Sequence, residues 1–421
     1  MRSMPKRYAG KSCAVLDSGG LFVSIAEALA KDFDRVSYYR HSRSSDVTTS
    51  EATVGKGLAG VTRVDDYHRL IGETDLWVFP DVYMGAAQLD LTERGESVWG
   101  ARMAEELELD RIACRKHVDK LGISIGPWAV VTGITELRAY LKAHDDMWVK
   151  FSPRGDRETF SSKSYRLTEG VVDELSLTLG PERETKRFSV EAHIPDAIEI
   201  AYDGPTVDGQ WPSVAVCGVE VKNKAYIGKV LDYEDFPDAL REINDKLTPT
   251  LKRYQYRSWW AAETMKTKDG YYFSDPCCRM GSPGAELWPL LYSNFPVILY
   301  EGARGKMIEP DPNATWAVEL VLSSGWARKH ATPIFVPEEI ADNVTFRNYR
   351  RKDGIVYALP QSHEDDIIAN VVAIGDDLDE TIAQAKEYAG QVEAFEIDFS
   401  EYDLDRAKQR MDELKDFGIT L

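Results

Sequence analysis

Cysteine is scarce in this chain of 421 residues: there are five, an odd number, and no CxxC pair. That excludes a disulfide framework and a CxxC zinc site, and a reducing, cytoplasmic setting is the expectation. Basic charge is also short. Against 70 Asp and Glu stand 51 Lys and Arg, a net charge of −19. Such a surface repels a phosphate backbone, so nonspecific nucleic-acid binding is not expected. No apolar run approaches the ~18–20 residues of a membrane span. The longest uncharged stretches, 121–135 and 287–300, contain Gly and Pro or Asn. The basic start MRSMPKRYAGKS is not followed by an apolar h-region, so no secretory signal is expected.

What is present is a globular mixture, 43% hydrophobic and 29% charged, long enough for two to four domains at roughly 100–200 residues each. The acidity is uneven. Residues 361–421 carry 17 acidic and 5 basic side chains, so the rest of the chain is only mildly acidic and leaves room for local phosphate sites.

The first segment reads as a doubly wound sheet. The apolar run Cys13–Leu16 ends in Ser18-Gly19-Gly20, and Phe22, Ile25 and Leu29 follow at helical spacing. Arg35–Tyr39 and Asp75–Pro80 read as further strands, with Asp81 just past the carboxyl end of one, where ligands of open α/β sheets bind. The turn is not a full GxGxxG, which disfavours a nicotinamide-dependent redox enzyme. Next, a helix is predicted over Ala101–Lys120, with Gly122 to end it. Strands are predicted at Trp148–Phe151, Phe188–Glu191, Ile198–Tyr202 and Ala215–Val221, with Asp203-Gly204 and Asp208-Gly209 as turns. A long helix over Pro237–Tyr254 precedes a hairpin of Ser258–Met265 and Tyr271–Ser274. A helix near Ala285–Asn294 comes after it. Beyond Gly325, strands at Ile355–Leu359 and Ile368–Gly375 and helices at Leu378–Tyr388 and Tyr402–Asp416 complete the pattern.

The order of charged residues carries the chemistry. Glu263 and Asp275 fall on or just beyond the two arms of the predicted hairpin, where paired carboxylates can bridge Mg²⁺. Arg279, four residues on, can hold a phosphate or carboxylate bidentately. Lys150 ends a strand. Lys163 closes the Ser/Arg-rich stretch from Arg154 and, with Lys150, suits a triphosphate cradle. Each feature alone is more simply an exposed charge.

Together and in this order they resemble the ATP-grasp superfamily, and within it the phosphoribosylamine–glycine ligases. Three stretches carry the resemblance: Val98–Ile123, which looks like the family's junction; Asp269–Pro283, which looks like its acidic-x-Asn-x-Arg-x-Gly-x-Pro metal loop; and Val318–Trp326 with Asn370–Ala385, which look like the lead-in and body of its C-terminal domain. The resemblance implies a multidomain α/β and α+β fold: an N-terminal doubly wound domain over 1–110, an ATP-grasp domain over 111–328 and a small C-terminal domain over 329–421. It implies that Arg111 and Lys150 contact ATP phosphates and that Lys163 rides on the mobile lid. Glu191, Ala192, His193 and Ile194 would form the adenine hinge through their backbone, and Glu199 would face the ribose. Glu263 and Asp275 would hold Mg²⁺ (or Mn²⁺), and Arg279 and Lys150 would be catalytic. The reaction implied is a C–N ligation: a small amino acid or other carboxylate is activated as an acyl phosphate, and an amine displaces phosphate. The acceptor, an amine carrying phosphate or a nucleotide, would lie near Ser18, Gly19, Gly20, Asp81 and Arg279. There the free N–H groups of the Gly turn would suit an anion, and Trp259-Trp260 would offer faces for a base. No membrane is implied, and the chain would be a monomer or homodimer.

The sequence departs from the family where Cys277 replaces the metal-loop Asn, where Asp275 replaces Glu, where Arg111 replaces Lys, and where Ser152-Pro-Arg-Gly-Asp-Arg157 replaces the Gly-rich lid. These departures keep a second reading open, a degenerate ATP-grasp protein that binds nucleotide without turnover. Cys277-Cys278 has no His nearby in sequence, which disfavours thiol catalysis.

Overall fold

The structure, a computed structural model, describes residues 6–41, 50–152, 159–360 and 366–421. Strands β1 (Tyr8–Asp17), β2 (Phe33–Arg40), β3 (Val61–Arg63), β4 (Leu76–Val78) and β5 (Val98–Trp99) form a parallel sheet in the order β3-β2-β1-β4-β5. Cys13–Leu16 is a continuous buried run, as a parallel strand covered on both faces requires. The order reverses between β1 and β4, so their carboxyl ends flank the crevice where such sheets take ligands.

The predicted Ala101–Lys120 helix is broken. Asp110 leaves helical geometry (φ −101°, ψ 82°), and its carboxylate accepts the Ala113 N–H at 3.1 Å, capping a new helix, Arg111–Lys120. The Asp side chain competes for backbone N–H groups and wins over continuous helix propensity.

A second sheet contains β6 (Trp128–Thr132), β7 (Met147–Ser152), β8 (Thr159–Ser162) and β9 (Arg187–Ala192) in the antiparallel order β6-β9-β7-β8. Helices Gly133–Ala143 and Tyr165–Leu179 pack on it around a core of its own that includes Leu137, Val149, Phe188 and Val190.

The largest sheet holds β10 (Ile198–Val207), β11 (Val214–Val221), β12 (Ala225–Asp232), β13 (Arg257–Thr267), β14 (Gly270–Cys277) and β15 (Trp316–Ser324). After a small sheet element β16 (Thr332–Phe335) come β17 (Val344–Phe346), β18 (Tyr349–Lys352), β19 (Ile355–Ala358) and β20 (Ile367–Gly375). The large sheet runs β14-β13-β10-β11-β12-β15-β20-β17. β20 pairs along nearly the whole of β15, so segments on both sides of residue 328 share one sheet and one core.

Three local expectations change. Asp203-Gly204 is not a turn but lies inside β10; the turn is at Asp208-Gly209, both with positive φ. The helix expected over Ala285–Asn294 is reduced to Trp288–Leu291, and a separate helix, Phe295–Gly302, follows, because Pro289 and Pro296 each begin a helix. Trp259 and Trp260 are fully buried, Trp259 against Trp99, Trp288, Tyr292 and Phe295, and Trp260 against Tyr256. They are core residues with no face free for a base. Among the described residues no helix is long and apolar enough to cross a membrane.

Gly20 is a turn glycine whose neighbours bear on the site. Its φ is +87°, and a Cβ there would stand 2.1 Å from Asn348 Oδ1, whose backbone N–H donates to the Gly20 carbonyl at 2.8 Å. Gly20→Ala is expected to cost about 1–3 kcal/mol through left-handed strain and this collision, read as a lowered urea midpoint. An unchanged midpoint would mean that this contact is not made in solution.

Candidate active site

The β13–β14 hairpin sets Glu263 directly opposite Asp275 in register, with a bulge just after Glu263. Bulges re-aim side chains at such places. Two carboxylates across a hairpin form an all-oxygen pair that suits Mg²⁺. Among the described residues no three His, Cys, Asp or Glu gather to hold a metal by themselves, so any further ligands would be water or phosphate oxygens. Burial pushes the Glu263 carboxyl up to about 8, against the pull of Lys222.

Asp275 is the meeting point of three cations. Lys150 Nζ, from β7, lies 2.5 Å from Asp275 Oδ2 and 3.1 Å from Glu191 Oε2. Burial opposes the Asp275 charge, but Lys150, Arg115 and Arg111 outweigh it and hold the carboxyl well below its usual range. Arg111 opens the helix that Asp110 caps, and its Nη1 is buried with no hydrogen-bond partner among the described residues. Arg115, one turn on, grips Glu191 through Nε (3.1 Å) and Nη2 (2.5 Å) and donates to the Phe273 and Ser274 carbonyls at 2.9 and 2.5 Å.

Several expected residues are therefore brought together, and others are not. Lys150, Arg111, Asp275 and Glu263 converge, and Glu199 and Lys222 line the same cleft. Glu191 is in β9, and its side chain is committed to Arg115, Lys150 and Ser189. The Ala192 and His193 N–H groups donate to the Pro127 and Asp146 carbonyls at 2.9 and 2.8 Å, so these two N–H groups are already engaged within the chain. Lys163 is not in the β7–β8 loop. β8 intervenes, and Lys163 leaves its far end, exposed, 3.4 Å from Asp146. The replaced lid, residues 153–158, lies outside the described residues.

At the switch point, Arg279 Nε lies 2.9 Å from Glu108 Oε1 and 3.5 Å from Asp81 Oδ1. Ser18 Oγ donates to Asp81 Oδ2, and the Met280 N–H donates to the Pro80 carbonyl at 3.0 Å. Ser18, Asp81 and Arg279 are thus joined to one another. The Gly turn itself is a correction. The N–H groups of Gly19, Gly20 and Phe22 all donate to the Asp17 carboxylate, at 3.0, 2.9 and 2.8 Å, and Tyr38 OH donates to it at 3.0 Å. The chain supplies its own anion, so these N–H groups are not free for an acceptor phosphate.

Sequence reasoning missed Arg115, Lys222 and Glu108. Arg115 is four residues from Arg111 and so shares its helix face. Glu220 is the second-last residue of β11, and Lys222 is in the tight turn just after it. Both placements were visible, but a charge on a helix or in a tight turn reads as solvated. Glu263 and Glu220 are the main groups that push the Lys222 ammonium up. Cys277 is buried, and burial drives its thiol up; as a protonated thiol it is no Mg²⁺ ligand.

No protein-family model matches this chain, and no curated protein matches its sequence. Solved structures do match its fold. Phosphoribosylamine–glycine ligase from Thermotoga maritima has a TM-score of 0.70 at 19% identity, over 92% of this chain and 98% of that one. The biotin carboxylase domain of 2-oxoglutarate carboxylase from Hydrogenobacter thermophilus, solved with MgADP, ADP and bicarbonate, has 0.67 at 10% identity, over 97% and 98%. N5-carboxyaminoimidazole synthetase from Staphylococcus aureus, complexed with ADP, has 0.59 at 12% identity, over 92% and 99%. The fold shared with these three is the ATP-grasp fold.

Proposed function

We propose that this chain is an ATP-dependent ligase that joins a carboxylate to an amine through an acyl phosphate. One observation carries the reading: Arg111, Arg115 and Lys150 gather on Asp275, which stands opposite Glu263. Paired carboxylates beside cations, one of them with a buried nitrogen that has no partner among the described residues, are what a metal–polyphosphate group needs on both sides. Glu263 and Asp275 would hold Mg²⁺, whose part is to neutralise phosphate charge. Lys150 and Arg111 would bind the phosphate oxygens, with Lys150 exchanging its carboxylate partners for them. Arg279, fixed by Glu108 and Asp81, would orient the activated carboxylate. Catalysis would then rest on positioning and charge neutralisation. With Trp259 and Trp260 in the core and the Gly-turn amides taken by Asp17, neither feature argues for a nucleotide or phosphorylated acceptor.

Binding of nucleotide without turnover is the second reading, favoured by the protonated Cys277 in the metal loop. Two measurements separate them. MgATP at about one hundred times its Kd stabilises the native state by about 2.7 kcal/mol, so the melting temperature should rise, and Lys150→Met should abolish the rise. ADP release across a panel of amino acids and amines should then be acceptor-dependent. No rise with millimolar MgATP sinks both readings, and a rise without ADP release leaves only the second.

A further inference from the structure

Asp203 and Gly204 carry a turn signature, yet they sit in the middle of β10. Charged residues that break the local pattern inside a strand often mark function. Asp203 is nearly buried, 6% exposed, and its Oδ2 accepts the Tyr226 hydroxyl at 2.7 Å. Tyr226 lies on β12, two strands away, and reaches Asp203 across β11 because Gly218 leaves the path open. A Cβ at Gly218 would stand 2.2 Å from the tyrosine oxygen. Asp203 Oδ1 has no hydrogen-bond partner among the described residues. It faces Gly281, where a Cβ would be 3.9 Å from both Oδ1 and Cys277 Sγ. Asp203, Tyr226 and Gly281 line the cleft that also holds Glu263 and Arg279. A carboxylate with one oxygen fixed and the other free at the cleft wall has a task beyond packing.

On the ligase reading above, we propose that Asp203, oriented by Tyr226, is the general base for the acceptor amine. Oδ1 takes one proton from the acceptor ammonium. The freed lone pair attacks the acyl-phosphate carbonyl carbon and forms the C–N bond. The C–O bond to phosphate then breaks, the second nitrogen proton leaves with the phosphate, and Asp203 returns its proton to solvent. Burial pushes the Asp203 carboxyl up to about 7, with Tyr226 pulling it down and Glu220 pushing it up. A base of that strength suits proton transfer near neutral pH. The other ionisable groups around it are Tyr202 on β10, Cys217 on β11, Cys277 on β14 and Tyr292, all held protonated by burial, and Arg279 in the same cleft.

The test uses two small acceptors with MgATP and each standard amino acid as carboxylate donor. Ammonium chloride delivers a protonated nucleophile near neutral pH, and hydroxylamine a neutral one that needs no base. Asp203→Asn keeps an acceptor for the tyrosine hydroxyl. It should cut ammonia-dependent amide formation by about 10²–10⁴-fold while hydroxamate formation changes little. Tyr226→Phe removes the bond that favours the carboxylate, so the acidic limb of the amide-forming pH profile should move to higher pH. Equal loss of both products in Asp203→Asn, or loss of neither, overturns the base assignment and leaves the ligase reading standing. No hydroxamate from the wild-type chain with any donor overturns both.

Discussion

Asp275→Asn is expected to lower ATP-dependent turnover by about 10²–10³-fold with the chain still folded. The amide keeps the shape of the side chain but removes the anion that Lys150 meets at 2.5 Å and that faces Glu263 across the hairpin. Lys150, Arg115 and Arg111 would then crowd a neutral group, and a metal would lose a charged ligand. The same substitution has a pH signature. The native carboxyl is held below its usual range, so its stabilising contribution is complete above about pH 4 and is lost as pH falls through the lower folded value. The variant should lack that acid limb in a stability-against-pH series. Cys277→Ala is the control, because its thiol holds no charge, and turnover should change only slightly. If Cys277→Ala abolishes turnover and Asp275→Asn does not, the metal arm has been assigned to the wrong residues.

Arg115→Ala is expected to destabilise by about 3–5 kcal/mol, because it leaves the nearly buried Glu191 carboxylate with Lys150 as its one remaining cation among the described residues and two carbonyls without their donor. Its guanidinium is 6% exposed, spans both oxygens of Glu191 and ties the hairpin carbonyls of Phe273 and Ser274 to the helix Arg111–Lys120. Arg115→Lys should recover only part of the loss, since an ammonium cannot make the forked contact and reach the carbonyls at once. Urea denaturation of the two variants checks this. A loss below about 1 kcal/mol for Arg115→Ala would place the network with exposed ion pairs of little worth.

The architecture was legible because hydrophobic period and turn chemistry agree over long elements. The Cys13–Leu16 run, the Lys268-Asp269-Gly270 joint and the Ile368–Gly375 run each became the strand or turn expected of them. Elements failed where one side chain overrode the pattern: Asp110 capping a new helix, Pro289 and Pro296 restarting helices, Asp203 held inside a strand by Tyr226. At the site, the carboxylate pair and Lys150 were singled out through the family resemblance, and the structure brings them together. Arg115 and Lys222 were not, because their partners arrive from distant strands and only the fold brings the charges within reach. The Gly turn misled for a different reason. Its amides were rightly seen as anion donors, but the anion is Asp17, next to the turn in the chain, and no composition argument distinguishes a bound anion from a built-in one.

The pairing of β20 along β15 fixes where this chain can be divided. A fragment ending at residue 328 would keep β15 but strip one side of it, exposing a row of unpaired amides and carbonyls along Val318–Leu322, which are buried in the intact chain. Such an uncapped apolar edge recruits other strands. Expression of residues 1–328 alone would therefore give aggregate rather than a soluble fragment. The residues beyond 328 act as a seal on the platform that carries the hairpin, even though they lie far along the chain from Glu263 and Asp275.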